Sequence, residues 1–138
     1  MYAAELARRA GVAPGTVRYY GKIGMLHPEQ NASNSYYEYS RRDLERLRFI
    51  RAAKSLGFTL TDIRAMFQDA ERGESPCPRA RTVIERRLVE TERKIAELQV
   101  LQNQMKAAIA QWTQLPDSQP NGDSVCALIE MVGGDRHE

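Results

Sequence analysis

The sequence predicts a mainly α-helical chain: an N-terminal winged helix-turn-helix, a long C-terminal helix that pairs as an antiparallel coiled coil, and a short terminal loop and helix. Three observations carry this. A Gly-broken pair of short helices opens the chain, and a tyrosine-rich stretch without helical period, Leu26 to Tyr39, follows it. Apolar residues then recur by four and three over 35 residues, from Pro78 to Trp112. The expected divisions are residues 1–73, the winged helix-turn-helix; 78–112, the long coiled-coil helix; and 113–138, the terminal loop and short helix.

The first helix is expected over about Tyr2 to Ala10, with Leu6, Ala7 and Ala10 inward and Gly11 as its stop. Pro14 suits the first turn of a second helix, where its missing N–H costs nothing. That helix carries Thr16, Val17, Arg18, Tyr19 and Tyr20 and ends near Gly21. Helix, Gly-containing turn and short helix is the spacing of a helix-turn-helix. From Leu26 to Tyr39 the chain reads as a hairpin or wing, with Asn and Ser at the turn in "NASNSYYEY". Ser40 with Asp43 is a capping box that starts a third helix, given an apolar side by Leu44, Leu47, Ile50 and Leu56 and stopped by Gly57. Thr59 with Asp62 is a second box, flanked by Phe58 and Ile63 as a hydrophobic staple. The fourth helix is expected to end near Gly73.

Ile84, Leu88, Thr91, Ile95, Leu98, Gln102, Met105, Ile109 and Trp112 then keep a heptad period, which marks a coiled-coil seam. At about 1.5 Å per residue the helix is about 50 Å long, and one narrow stripe of that length calls for a partner helix. The alternative is a monomer whose first four helices fold back over the stripe.

The chain of 138 residues carries a net charge of only +2, unevenly spread. Residues 1–58 hold ten basic and five acidic side chains, whereas residues 59–138 hold ten and thirteen. The front is the candidate for a polyanion, against the alternative of a solvated basic face. Arg18 and Lys22 can contact phosphate or fork onto guanine, and the hydroxyls of Tyr19, Tyr20, Tyr36, Tyr37 and Tyr39 can hold the same backbone. Both Tyr19 and Tyr20 cannot face a groove, so one is expected inside. Catalysis has little support: His27 and His137 stand in separate segments, and no Ser/His/Asp set, phosphate loop or HExxH motif is present. No stretch approaches the roughly 20 apolar residues of a membrane span, and the charged N-terminus is wrong for a secretory signal. Two distant cysteines make a poor disulfide framework, so a reducing, cytoplasmic setting is expected.

Those two cysteines are the remaining chemistry. Cys77 precedes Pro78 at the start of the long helix, where the positive end of the helix dipole favours an anion. Cys126 follows a polar loop at 113–124. The long helix separates the two ends of one chain. In an antiparallel pair the start of one helix lies beside the end of the other, so Cys77 of one subunit is expected to meet Cys126 of its mate.

Together these residues resemble the MerR family of bacterial transcription regulators. "ELARRAGVAPGTVRYYGKIGML" is similar to that family's opening helix-turn-helix, with its core at Thr16–Tyr20, and "NSYYEYSRRDLERLRFIRAAKSLGFTLTDI" resembles its wing and next helix pair. The resemblance implies a homodimer that binds a palindromic promoter in double-stranded DNA. An effector then twists and kinks the DNA so that an overlong spacer fits RNA polymerase. Carried over by position, Arg18, Tyr20, Tyr36 and Lys54 grip phosphate, and Thr16 and Lys22 lie near the groove. The chain departs from the family where Gly21 replaces an acidic residue, Ala13 a hydroxyl cap, and Ser35-Tyr36-Tyr37 a Gly-Tyr-Arg run.

"CALIEM" is similar to the last helix of the metal-sensing branch, which starts with a ligating cysteine. Cys77 matches a position that is cysteine in divalent-metal sensors. Trp112 stands where those sensors carry another cysteine. The leading expectation is therefore a sensor of a thiophilic ion held by Cys77 and Cys126. Two thiolates suit Hg(II), and a third ligand from Asp117, Asp123, His137 or water suits Cd, Pb or Zn. The alternatives are a thiol-based redox or electrophile sensor, in which Cys77 reacts and pairs with Cys126, and an organic-ligand sensor lined by Trp112. A scaffold built only of the coiled coil would leave the basic, tyrosine-rich front unexplained.

Overall fold

The computed structural model describes residues 1–134. In chain order it has α1 (Ala3–Ala10), α2 (Pro14–Lys22), β1 (Glu29–Gln30), β2 (Tyr37–Glu38), α3 (Arg41–Ser55), α4 (Leu60–Glu71), α5 (Cys77–Trp112) and α6 (Ala127–Gly134). The chain divides into two compact units, Met1–Val89 and Glu90–Glu138. None of the helices among the described residues is long and apolar enough to cross a membrane.

In the first unit, α1 ends where Gly11 takes a left-handed φ of 74°, a conformation that an L side chain adopts only at a cost. The freed carbonyl of Ala10 accepts from the Arg51 guanidinium at 2.7 Å. The helix-turn-helix thereby docks on α3. Pro14 opens α2 as expected. The strands β1 and β2 pair antiparallel, Glu29 opposite Glu38 and Gln30 opposite Tyr37. At the wing tip Ser35 has a positive φ of 64°.

Both capping boxes form: Ser40 accepts from the Asp43 amide, and Thr59 from the Asp62 amide. Phe58 and Ile63 are both buried in the core beside the second box. One core joins Leu6, Val17, Leu26, Leu47, Ile50 and Ile63 with Val83 from the start of α5.

Two expectations are corrected here, those for Leu56 and Tyr20. Leu56 does not extend the apolar side of α3; it caps the helix C-terminus and is 64% exposed. At 100° per residue it lies about 180° from Leu47, on the opposite side of the helix. Tyr20 and Tyr39 are core residues, 6% and 5% exposed. Tyr39 turns inward where the strand ends and the Ser40 cap begins, and its hydroxyl lies near Gly21.

The start of α5 is tied to α4 by two ion pairs. Arg79 forks onto buried Asp69 at 2.7 and 3.0 Å, and Arg87 meets Asp62 at 3.0 Å. Because 69 pairs with 79 and 62 with 87, the two helices run antiparallel here. The Arg79 fork, before any other cause, holds the Asp69 carboxyl below the usual carboxylate range.

In the second unit, α5 keeps the seam outward. Ile95 is 50% exposed, Leu98 63% and Ile109 63%. The single chain does not cover them.

Candidate DNA interface and thiol sites

Of the side chains expected to meet DNA, Arg18, Lys22, Tyr36 and Tyr37 line two clefts of the first unit that share a wall. A cleft of about 670 Å³ is lined by Arg18, Lys22, His27, Tyr37 and Tyr39, among others. A second, of about 450 Å³, is lined by Tyr2, Arg18, Asn34, Tyr36 and Tyr37, among others. Arg18 and Tyr37 line both. Helix α2 thus sends Arg18 and Lys22 outward from the same turns that bury Val17 and Tyr20. This follows from helical period: residues one and two positions from a buried residue lie off its face.

The structure brings together Arg18, Lys22, Tyr36 and Tyr37. Tyr36 is 67% exposed and Tyr37 53%. Tyr19 is exposed, its ring 5.7 Å from that of Tyr20, which fits the expectation that one of the pair is inside. Tyr20 is therefore a packing residue, and its burial removes it from the outward-facing set. Thr16 is half-buried and Lys54 is exposed on the last turn of α3; neither lines the two clefts. Burial pushes the Tyr39 phenol up, with the Arg18 charge pulling the other way.

Sequence reasoning missed His27, Tyr2 and Asn34 on these walls. His27 was readable only as an isolated histidine. Tyr2 and Asn34 come together across 32 positions, since the Asn34 amide donates to the Tyr2 hydroxyl at 3.2 Å. No local pattern carries such a contact.

The two cysteines are both free. Cys77 is exposed and is the first residue of α5, its amide donating to Ser75 Oγ at 3.2 Å. Cys126 is half-buried and directly precedes α6. Its loop is held by Glu130, whose Oε1 accepts from Ser124 Oγ at 2.6 Å and from the amides of Val125 and Cys126 at 3.1 and 3.2 Å. Asp117 and Asp123 are exposed. Trp112 is half-buried at the end of α5, and its indole Nε1 is buried without a hydrogen-bond partner. His137 lies outside the described residues. Among the described residues of one chain, no three His, Cys, Asp or Glu side chains come together to hold a metal.

Comparison with known proteins decides the family. Residues 1–70 match the model for MerR HTH family regulatory proteins, and residues 44–108 match that for MerR, DNA binding. The chain belongs to the MerR family. It is 39% identical over 105 residues to the HTH-type transcriptional regulator ZntR of Escherichia coli K12, covering 74% of this chain and 73% of that one. It is 30% identical over 101 residues to the mercuric resistance operon regulatory protein of Bacillus cereus, covering 73% and 76%. In fold it is similar to the transcription regulator PbrR691 of Ralstonia metallidurans CH34, solved with lead(II). The TM-score is 0.72 over 96% of this chain and 98% of that one, at 23% identity. As a MerR-family chain it is a DNA-binding transcription regulator, and its helix-turn-helix and wing are the parts that the first family model spans.

Proposed function

We propose that this protein is a homodimeric activator that answers a thiophilic metal ion through Cys77 and Cys126 of opposite subunits. One observation carries the reading: the only two thiols each sit at the beginning of a helix, Cys77 opening α5 and Cys126 preceding α6. The chemistry of this donor set fits a soft cation. Thiolates select such ions over hard ones, and two of them suffice for low coordination, as with Hg(II). An ion that takes more ligands, such as Cd, Pb or Zn, would draw them from Asp117, Asp123 or water. The relative named for mercuric resistance supports the same class.

The inter-subunit arrangement rests on helix length. With 36 residues, α5 spans about 54 Å. Antiparallel pairing through the exposed stripe sets the start of one helix beside the end of the other. Arg18, Lys22, Tyr36 and Tyr37, with Tyr19, Thr16 and Lys54 at the margins, form the promoter-binding face. Cys77 of one subunit and Cys126 of the other would hold the ion, which would supply a link between the two thiols. The protein's own part is to carry the effect of that link along α5 into the two DNA-binding units, so that the promoter is distorted into a form RNA polymerase can use.

A mixed dimer tests this, with Cys77→Ser in one chain and Cys126→Ser in the other. If opposite chains supply the ligands, one site loses both thiols and the other stays whole, so one Hg(II) binds where the parent binds two. A mixed dimer that binds none, beside a parent that binds two, overturns the inter-subunit assignment. A parent that binds no thiophilic metal overturns the metal reading and leaves thiol oxidation at exposed Cys77 as the effector chemistry.

A further inference from the structure

Tyr2 is the N-cap of α1, and its backbone, ring and hydroxyl each have a partner. Its backbone is fixed at the entry to α1, where its carbonyl accepts from the Leu6 amide at 3.1 Å. Its ring stands edge-on to Tyr36, centroids 6.1 Å apart. Its hydroxyl accepts from Asn34 Nδ2 at 3.2 Å.

Asn34 is itself oriented, because its Oδ1 accepts from the Tyr36 amide at 3.0 Å. That bond leaves the Asn34 NH₂ as the group facing Tyr2. A hydroxyl that accepts one bond still has a proton to give, and accepting polarises it as a donor. The ring is 46% exposed and shares its 450 Å³ cleft with Arg18 and Tyr36.

We infer that Tyr2 is a DNA contact: its hydroxyl, oriented by Asn34, donates to a backbone phosphate that Arg18 also holds. The ligand class follows from the walls. A guanidinium and two aromatic hydroxyls suit an anionic oxygen beside a flat sugar edge. The inference rests on the DNA face assigned above.

The test uses the full-length dimer and a duplex selected from random-sequence DNA by binding to it. Arg18→Ala checks the face, and Tyr2→Phe removes only the hydroxyl while keeping the ring against Tyr36. Tyr2→Phe should bind about tenfold more weakly per half-site, the size expected of one charge-assisted hydrogen bond. Its salt dependence should match the parent's, because a neutral phenol displaces no counterion, whereas Arg18→Ala should flatten it.

Duplexes carrying single neutral methylphosphonates then locate the contact. At one position per half-site both proteins should lose affinity through Arg18, and the gap between the parent and Tyr2→Phe should shrink there alone. A merely structural role would give the same loss on every duplex, and that result overturns the inference. So does a Tyr2→Phe protein that binds like the parent while Arg18→Ala binds weakly. If Arg18→Ala also binds like the parent, the DNA face itself is wrong and the inference falls with it.

Discussion

Helices α3 and α5 each carry an apolar side, recurring every third residue in α3 and by four and three in α5, and the two sides meet opposite fates. In α3, Leu44, Leu47, Ile50 and Ala53 are all 6% exposed or less. In α5, Leu88, Ile95, Leu98, Met105 and Ile109 are all at least half exposed. The difference teaches that period states which side of a helix must be covered, but not by what. The side of α3 is met by α1 and α4 within the first unit. The stripe of α5 from Leu88 onward is longer than anything the chain sets against it, and it continues past the capped, compact front. Two kinds of stability follow. The front should unfold as a domain, whereas the seam should depend on protein concentration.

That contrast can be broken most sharply at the seam. Replacing Ile95 and Leu98 together with Asp would put unpaired charges into a paired interface, at several kcal/mol each. The double variant should sediment as a monomer. A stable dimer would place the subunit interface elsewhere.

The next largest effect lies in the front. Leu47 is fully buried, and Leu47→Ala should cost about 2–5 kcal/mol through lost transfer energy and the cavity left behind. Denaturant unfolding followed in the front unit should shift by that amount, while the dimer dissociation constant stays near the parent's. A matching loss of dimer affinity would show that the two regions are not independent.

The smallest effect sharpens the boundary between them, at the Asp69–Arg79 fork that ties α4 to α5. The folded carboxyl of Asp69 lies below its ordinary value, chiefly through Arg79. Its contribution is therefore complete above the unfolded carboxylate pKa, about 3.9. It is lost as pH falls through the lower, folded value. Asp69→Asn should lower the melting temperature modestly at pH 7, and the gap to the parent should close on acidification below about pH 4. An unchanged gap at low pH would mean that the fork's charge does not matter.

How much of this was readable beforehand depends on the range of the signal. Both capping boxes and the inner face of α1 are encoded within four or five residues and form as expected, and Phe58 and Ile63 are both buried. Leu56 failed because an apolar residue near a helix end was counted without following its angle around the axis. Which wing tyrosine turns inward was not legible, because the three look alike in sequence; Tyr39 is the buried one. Of the proposed DNA face, Arg18, Lys22, Tyr36 and Tyr37 were legible from residue type and resemblance. Tyr2, Asn34 and His27 were not, because their placement depends on the wing lying beside α1 and α2.

By itself, the sequence determined the family, the order of the helices and the existence of an apolar stripe that needs cover. These rest on local period, capping chemistry and a basic surplus confined to the first 58 residues. Only the tertiary structure decided which tyrosines face out, that Arg18 stands on the wall between two clefts, and that Asp69 and Asp62 bind α4 to the start of α5. The physical reason is distance along the chain. Contacts such as Asn34 with Tyr2 or Arg79 with Asp69 form only after separate elements have packed, and no local preference of either residue encodes its partner.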